Sequence, residues 1–136
     1  MKQFIKVMKA LSEPNRVKIV KALLKREMCV CEIQALIGLA QPTISKHLKV
    51  LEEADLITFS KENLWVNYRI HRETPNPYAK TLIQLLEEWL EDDTEIKNIM
   101  SKVITVDRYQ ICFQNLNKQK KRRSDYGYQN SGSGMP

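Results

Sequence analysis

Two amphipathic helical patterns that meet across Gly38-Leu39-Ala40 constrain this chain more than any other feature. On the near side, Ile33, Leu36 and Ile37 form the apolar face of a short helix that starts near Cys31. Val30 precedes it, and Gln34 stands at capping-box spacing. Gly38 occupies the position where a left-handed residue ends a helix. On the far side, residues 41–54 place Ile44, Leu48 and Leu51 at i, i+4 and i+7. Pro42 is tolerated because first-turn amides have no intrahelical acceptor. A connection this short makes the pair one helix–turn–helix unit.

The flanking segments extend the pattern. Phe4, Ile5, Met8 and Leu11 recur at helical spacing, and Ser12-Glu13-Pro14-Asn15 starts a second helix carrying Val17, Ile19, Val20, Leu23 and Leu24. After the helix pair, residues 56–60 and 64–70 are rich in β-branched and aromatic side chains, with Lys61-Glu62-Asn63 linking them as a hairpin. Beyond Pro75 and Pro77, a long helix is expected over 78–93, with Leu82, Leu85, Leu86, Trp89 and Leu90 on one stripe. Its end carries Glu87, Glu88, Glu91, Asp92 and Asp93, an unfavourable placement at the negative pole of a helix. Ile96, Ile99, Met100 and Val103 continue the stripe after a break. This order predicts a mainly α fold with a small β-hairpin wing, the winged helix-turn-helix. One domain is expected over 1–114, followed by a basic, disordered tail over 115–136.

Charge distribution points to a polyanion. Residues 1–72 hold 13 Lys and Arg against 7 Asp and Glu, residues 73–114 hold 4 against 8, and residues 115–136 hold 5 against 1. A basic front suits nucleic acid. No run of 18 apolar residues is present, so no membrane-spanning helix is expected, and the Lys-interrupted start is not a secretory signal. Three Cys, an odd number, make no disulfide framework and suit reduced cytoplasmic thiols.

The second helix of the pair has the composition of a groove reader. Opposite its apolar row lie Pro42, Ser45, Lys46 and Lys49, flanked by Gln41, Thr43 and His47. Gln reads adenine edges, Ser and Thr serve bases or phosphates, and Lys suits phosphate or guanine. His47 is expected to be half-buried with a polar contact. The hairpin adds Lys61 and Asn63. Double-stranded DNA is therefore the expected partner.

Residues 16–70 resemble the arsenic-repressor (ArsR/SmtB) family of bacterial metal-sensing transcription repressors. The matching segments are Glu27-Met-Cys-Val-Cys-Glu-Ile33, Leu39-Ala-Gln-Pro-Thr-Ile-Ser-Lys-His-Leu48 and Trp65-Val-Asn-Tyr-Arg-Ile70. The resemblance implies a homodimer on a palindromic operator, joined through the first and fifth helices, in agreement with the apolar stripes at 4–11 and 82–90. It also implies thiol ligands at Cys29 and Cys31, with trivalent arsenic or antimony as inducer and no organic cofactor. The family usually has Ser or Thr where Ala40 stands, and its strongest arsenic-sensor pattern has a further Cys where Gln34 stands.

Residues at i and i+2 of a helix point to different sides, so Cys29 and Cys31 can share an ion only if Cys29 precedes the helix or the first turn unwinds. Capture would then rotate the recognition helix through Gly38–Ala40 and favour the DNA-incompetent state, a coupling of about 1–3 kcal/mol or more. A thiol at a helix N-terminus is expected to have a lowered pKa. Cys112 is a candidate third sulfur ligand. Two alternatives keep the same fold: response to thiol oxidation, or to cadmium or lead. No phosphate loop and no Cys-x-x-Cys motif after a strand supports an enzyme.

Overall fold

The computed structural model describes residues 1–106, so the expected tail and Cys112 lie outside the described residues. The element order is α1 (Lys2–Ala10), α2 (Pro14–Lys25), β1 (Met28–Cys29), α3 (Val30–Ile37), α4 (Gln41–Glu53), β2 (Ile57–Glu62), β3 (Trp65–Ile70), α5 (Pro77–Leu86) and α6 (Thr94–Val103). The strands form one antiparallel sheet in the order β1-β3-β2. A small sheet beside a helix–turn–helix is the winged architecture expected from the pattern.

Local chemistry sets most boundaries. The Glu13 carboxylate accepts the Arg16 amide at 3.0 Å and starts α2, with Pro14 in the first turn. Gly38 ends α3 at φ +83°, its amide donating to the Gln34 carbonyl at 2.8 Å. Asn76 opens α5 by accepting the Tyr78 and Ala79 amides. Ala40, exposed and extended, occupies the N-cap of α4 and offers its amides no side-chain acceptor. Ala40→Ser should therefore stabilise the protein by about 1 kcal/mol, seen as a Tm rise of about 5 °C in thermal melts.

The core is shared by all the helices and the sheet. Ile19, Val20 and Leu23 of α2 meet Ile33 and Leu36 of α3, the Ile44/Leu48/Leu51 row of α4, and Ile57 and Ile70 of the sheet. Val50, off the polar face of α4, is half-buried against this cluster.

Four expectations change. First, the fifth helix stops at Leu86 instead of running to Asp93. A turn with Leu90 at φ +66° follows, and Asp93 caps α6 by accepting the Ile96 amide at 3.1 Å. Trp89 and Leu90 sit in that turn at 50% and 44% exposure. Glu87 still stands at the C-cap of α5 and pairs with Arg72, whereas Glu91 lies in the turn and pairs with Lys21, each at 2.7 Å. Second, the core face of α1 is Val7 and Ala10, while Phe4, Ile5 and Met8 remain on the surface. Third, Lys61 and Glu62 belong to β2, and the hairpin turns on Asn63-Leu64 alone, with Asn63 at φ +56°. Fourth, β1 was not anticipated; two residues carry no periodicity.

Candidate nucleic-acid interface and thiol site

Burial of the Ile44/Leu48/Leu51 row turns the opposite side of α4 outward. Gln41, Thr43, Ser45, Lys46 and Lys49 are all exposed there. Lys61 and Asn63 are exposed at the far end of the wing. Both surfaces combine hydrogen-bonding groups for base edges with cations for phosphates. His47 is set apart from them. It is half-buried, with Nδ1 3.3 Å from Arg16 Nη1 and Nε2 3.8 Å from Glu13 Oε2. Arg16 also donates to the Ala10 and Lys9 carbonyls at 2.7 and 3.0 Å, so it joins the end of α1 to the middle of the recognition helix. Burial raises the Glu13 carboxyl, but the Arg16 and Asn15 amides and the His47 and Arg16 charges outweigh it, holding it below the usual range. No sequence signal marks Arg16, whose side-chain partners lie on two other elements, α1 and α4.

The thiols lie where the wing meets the helix–turn–helix. Cys29 is the last residue of β1, in register with Asn67 of β3, and is also the N-cap of α3. Its backbone is extended, at φ −81° and ψ 169°. Cys31 follows in the first turn of α3 and is half-buried, whereas Cys29 is 2% exposed. Both are free thiols. Cys29 thus lies just ahead of the helix, the arrangement that lets two such residues converge.

The capping partner is Glu32, not Gln34. Its Oε1 accepts the Cys29 amide at 3.1 Å, and its own amide faces the Cys29 sulfur. The spacing Cys29-Val-Cys-Glu32 carried this signal, with Cys in the usual place of Ser or Thr. The Cys29 thiol is pushed up, not down. Burial is the main cause and the Glu32 carboxylate adds to it, while the Glu32 amide offsets only part. The helix terminus loses to desolvation here. Soft sulfur donors suit thiophilic ions. Among the described residues no group of three His, Cys, Asp or Glu is assembled, so a third protein donor would come from beyond them.

Fold and exposed surfaces together define a winged helix-turn-helix DNA-binding regulator. A profile described as "Bacterial regulatory protein, arsR family" matches residues 13–58, from the cap of α2 to the start of β2. The chain is 34% identical over 91 residues to the arsenic resistance transcriptional regulator ArsR1 of Pseudomonas putida, covering 64% of this chain and 71% of that one. It is 32% identical over 97 residues to the arsenical resistance operon repressor of Escherichia coli, covering 71% and 80%. Among solved structures, it resembles the homodimeric winged helix-turn-helix DNA-binding domain Mb0332 of Mycobacterium bovis, a possible ArsR-family regulator. That match has a TM-score of 0.55 and 29% identity, over 63% of this chain and 76% of that one. The chain belongs to the arsR family of bacterial regulatory proteins, and it is a transcriptional repressor rather than an enzyme. No helix among the described residues is long and apolar enough to cross a membrane.

Proposed function

We propose that this protein binds operator DNA as a homodimer and is released when trivalent arsenic or antimony bonds to the thiols of Cys29 and Cys31. One observation carries the reading: Cys29 sits where a strand paired with the wing meets the helix that leads into α4. It ends the strand that pairs with β3 of the wing and begins the helix that Gly38–Ala40 joins to α4. Movement there acts on wing and recognition helix together. With arsenous acid, each thiol replaces one hydroxyl and one water leaves, so two thiols give a dithiolato arsenic hydroxide and two waters. A third sulfur would displace the last hydroxyl. Cys112 is proposed for that role, because it lies six residues after Val106, a reach of at most roughly 20 Å. Arg26 holds the Val106 carbonyl at 2.6 Å and also holds Glu32 beside Cys29.

Gln41, Thr43, Ser45, Lys46 and Lys49 are assigned to the groove and Lys61 and Asn63 to the wing contact, with His47 as their flanking support. Lys46→Ala should weaken operator binding and lower the slope of log K against log salt by about 0.9, the value for one phosphate. An unchanged slope would remove Lys46 from the backbone contact. Removing residues 115–136 in the same assay tests whether the basic tail touches DNA.

The deciding experiment titrates release of a DNA fragment from the native promoter with arsenite, antimonite, cadmium, lead, zinc and peroxide. Arsenite and antimonite should release the wild-type protein, while Cys29→Ser should stay bound. Release by cadmium, lead or peroxide alone would transfer the function to those signals. An arsenite-resistant wild-type complex would end the metalloid reading.

A further inference from the structure

Beside the thiols, a buried carboxylate pairs with a half-buried guanidinium. Glu32 is 2% exposed. Its Oε1 accepts the Cys29 amide at 3.1 Å, and its Oε2 accepts from Arg26 Nη1 at 2.6 Å. The other terminal nitrogen of Arg26 donates to the Val103 carbonyl at 3.3 Å and the Val106 carbonyl at 2.6 Å. Arg26 is itself the residue that ends α2. One guanidinium therefore joins three helix ends: the close of α2, the opening of α3 through Glu32, and the close of α6. The last carbonyls of a helix lack intrahelical partners, and a planar five-donor fork can serve them while also pairing a carboxylate.

We propose that Glu32 and Arg26 are positioning residues of the thiol site, and that they transmit its occupancy to the C-terminal end of α6. The proposal rests on the reading of Cys29 and Cys31 as ligands. Cys29 is 2% exposed and its sulfur faces the Glu32 amide, so drawing it onto an ion shared with Cys31 displaces the capping contacts it makes now. The Cys29–Glu32 hydrogen bond closes over those same residues and does not survive unchanged. Glu32 is buried and Arg26 only half-buried, so a Glu32 carboxylate that loses its place draws the guanidinium with it, because a buried carboxylate left without its cation is costly. Arg26 then leaves the carbonyls of Val103 and Val106. α6 packs on both α2 and α3, so its end loosens as a consequence of capture.

Hydrogen exchange by mass spectrometry on the full chain, with and without arsenite, tests this. The reporters are the Thr105 and Val106 amides, both bonded to the Lys102 carbonyl at 3.0–3.1 Å. In the wild type, arsenite should speed exchange there at least about tenfold, in step with the Cys29 amide. Arg26→Lys keeps a cation for Glu32 but lacks the fork. It should show fast exchange at 105–106 without arsenite and no further change with it, while intact mass still shows arsenic bound. Glu32→Gln, which keeps an acceptor for the Cys29 amide, should behave likewise. Arsenic bound to the wild type with unchanged exchange at 105–106 overturns the relay and leaves the sensing reading intact. Intact mass showing no bound arsenic overturns both. Should one variant fail to fold, the wild-type comparison still decides.

Discussion

Met8→Glu should split the proposed homodimer and weaken operator binding by about a hundredfold or more. Phe4, Ile5 and Met8 are 38–40% exposed on α1, and Tyr78 of α5 is 42% exposed beside them. Phe4 and Tyr78 stack edge to face with ring centroids 5.4 Å apart, so the two helices present one continuous apolar surface. Apolar side chains clustered in this way mark an interaction surface. A carboxylate at its centre is desolvated in the dimer and solvated in the monomer, which favours the monomer. A dimer holds two half-sites at once, and loss of that bivalency costs about 10²–10⁴ in apparent affinity. Sedimentation would show monomers, and titration with half-site DNA would separate lost dimerisation from lost recognition. A variant that stays dimeric and binds at wild-type strength would place the subunit contact elsewhere.

Lys21→Met should cost about 2–3 kcal/mol of stability and lower Tm by roughly 10 °C. Lys21 is 1% exposed. Its ammonium donates to the Leu86 carbonyl at 2.6 Å, the Trp89 carbonyl at 2.8 Å and Glu91 Oε1 at 2.7 Å. Met matches the aliphatic stem but offers no donors, so the carbonyls that close α5 lose theirs. The deficit should depend on pH. The hydrogen bond from Lys21, and then its charge, hold the Glu91 carboxyl below the usual range. A depressed carboxyl contributes stability above its unfolded-state value, and that contribution fades as pH falls through the folded value. The gap between wild type and variant should therefore be wider at pH 7 than at pH 3, by chemical denaturation at each pH. An equal gap would remove Glu91 from the account.

The Lys21 cluster shows why the fifth helix could not be read correctly. Its apolar stripe continues through Trp89 and Leu90, and no Gly or Pro interrupts it. What ends the helix is a lysine 65 residues earlier in the chain, whose donors suit the carbonyls of a helix end. The same holds for Arg26, whose acceptors lie 77 and 80 residues away. The elevated Cys29 thiol has the same origin: a helix start is local and legible, whereas the burial that outweighs it is not.

Elsewhere the signals were local. Gly38 needed a left-handed backbone, Pro42 needed a first turn, and the Ile44/Leu48/Leu51 row needed a buried side, which left Ser45, Lys46 and Lys49 facing outward. By itself, then, the order of residues determined the helix pair, the wing and the exposed polar side of α4, because each follows from the period of one segment or the torsions of one residue. Only the tertiary structure decided where α5 stops, which face of α1 is buried, and how Glu32 and Arg26 tie the thiols to α6. Those outcomes depend on desolvated charges finding partners that are distant in the chain, and no local spacing encodes such meetings.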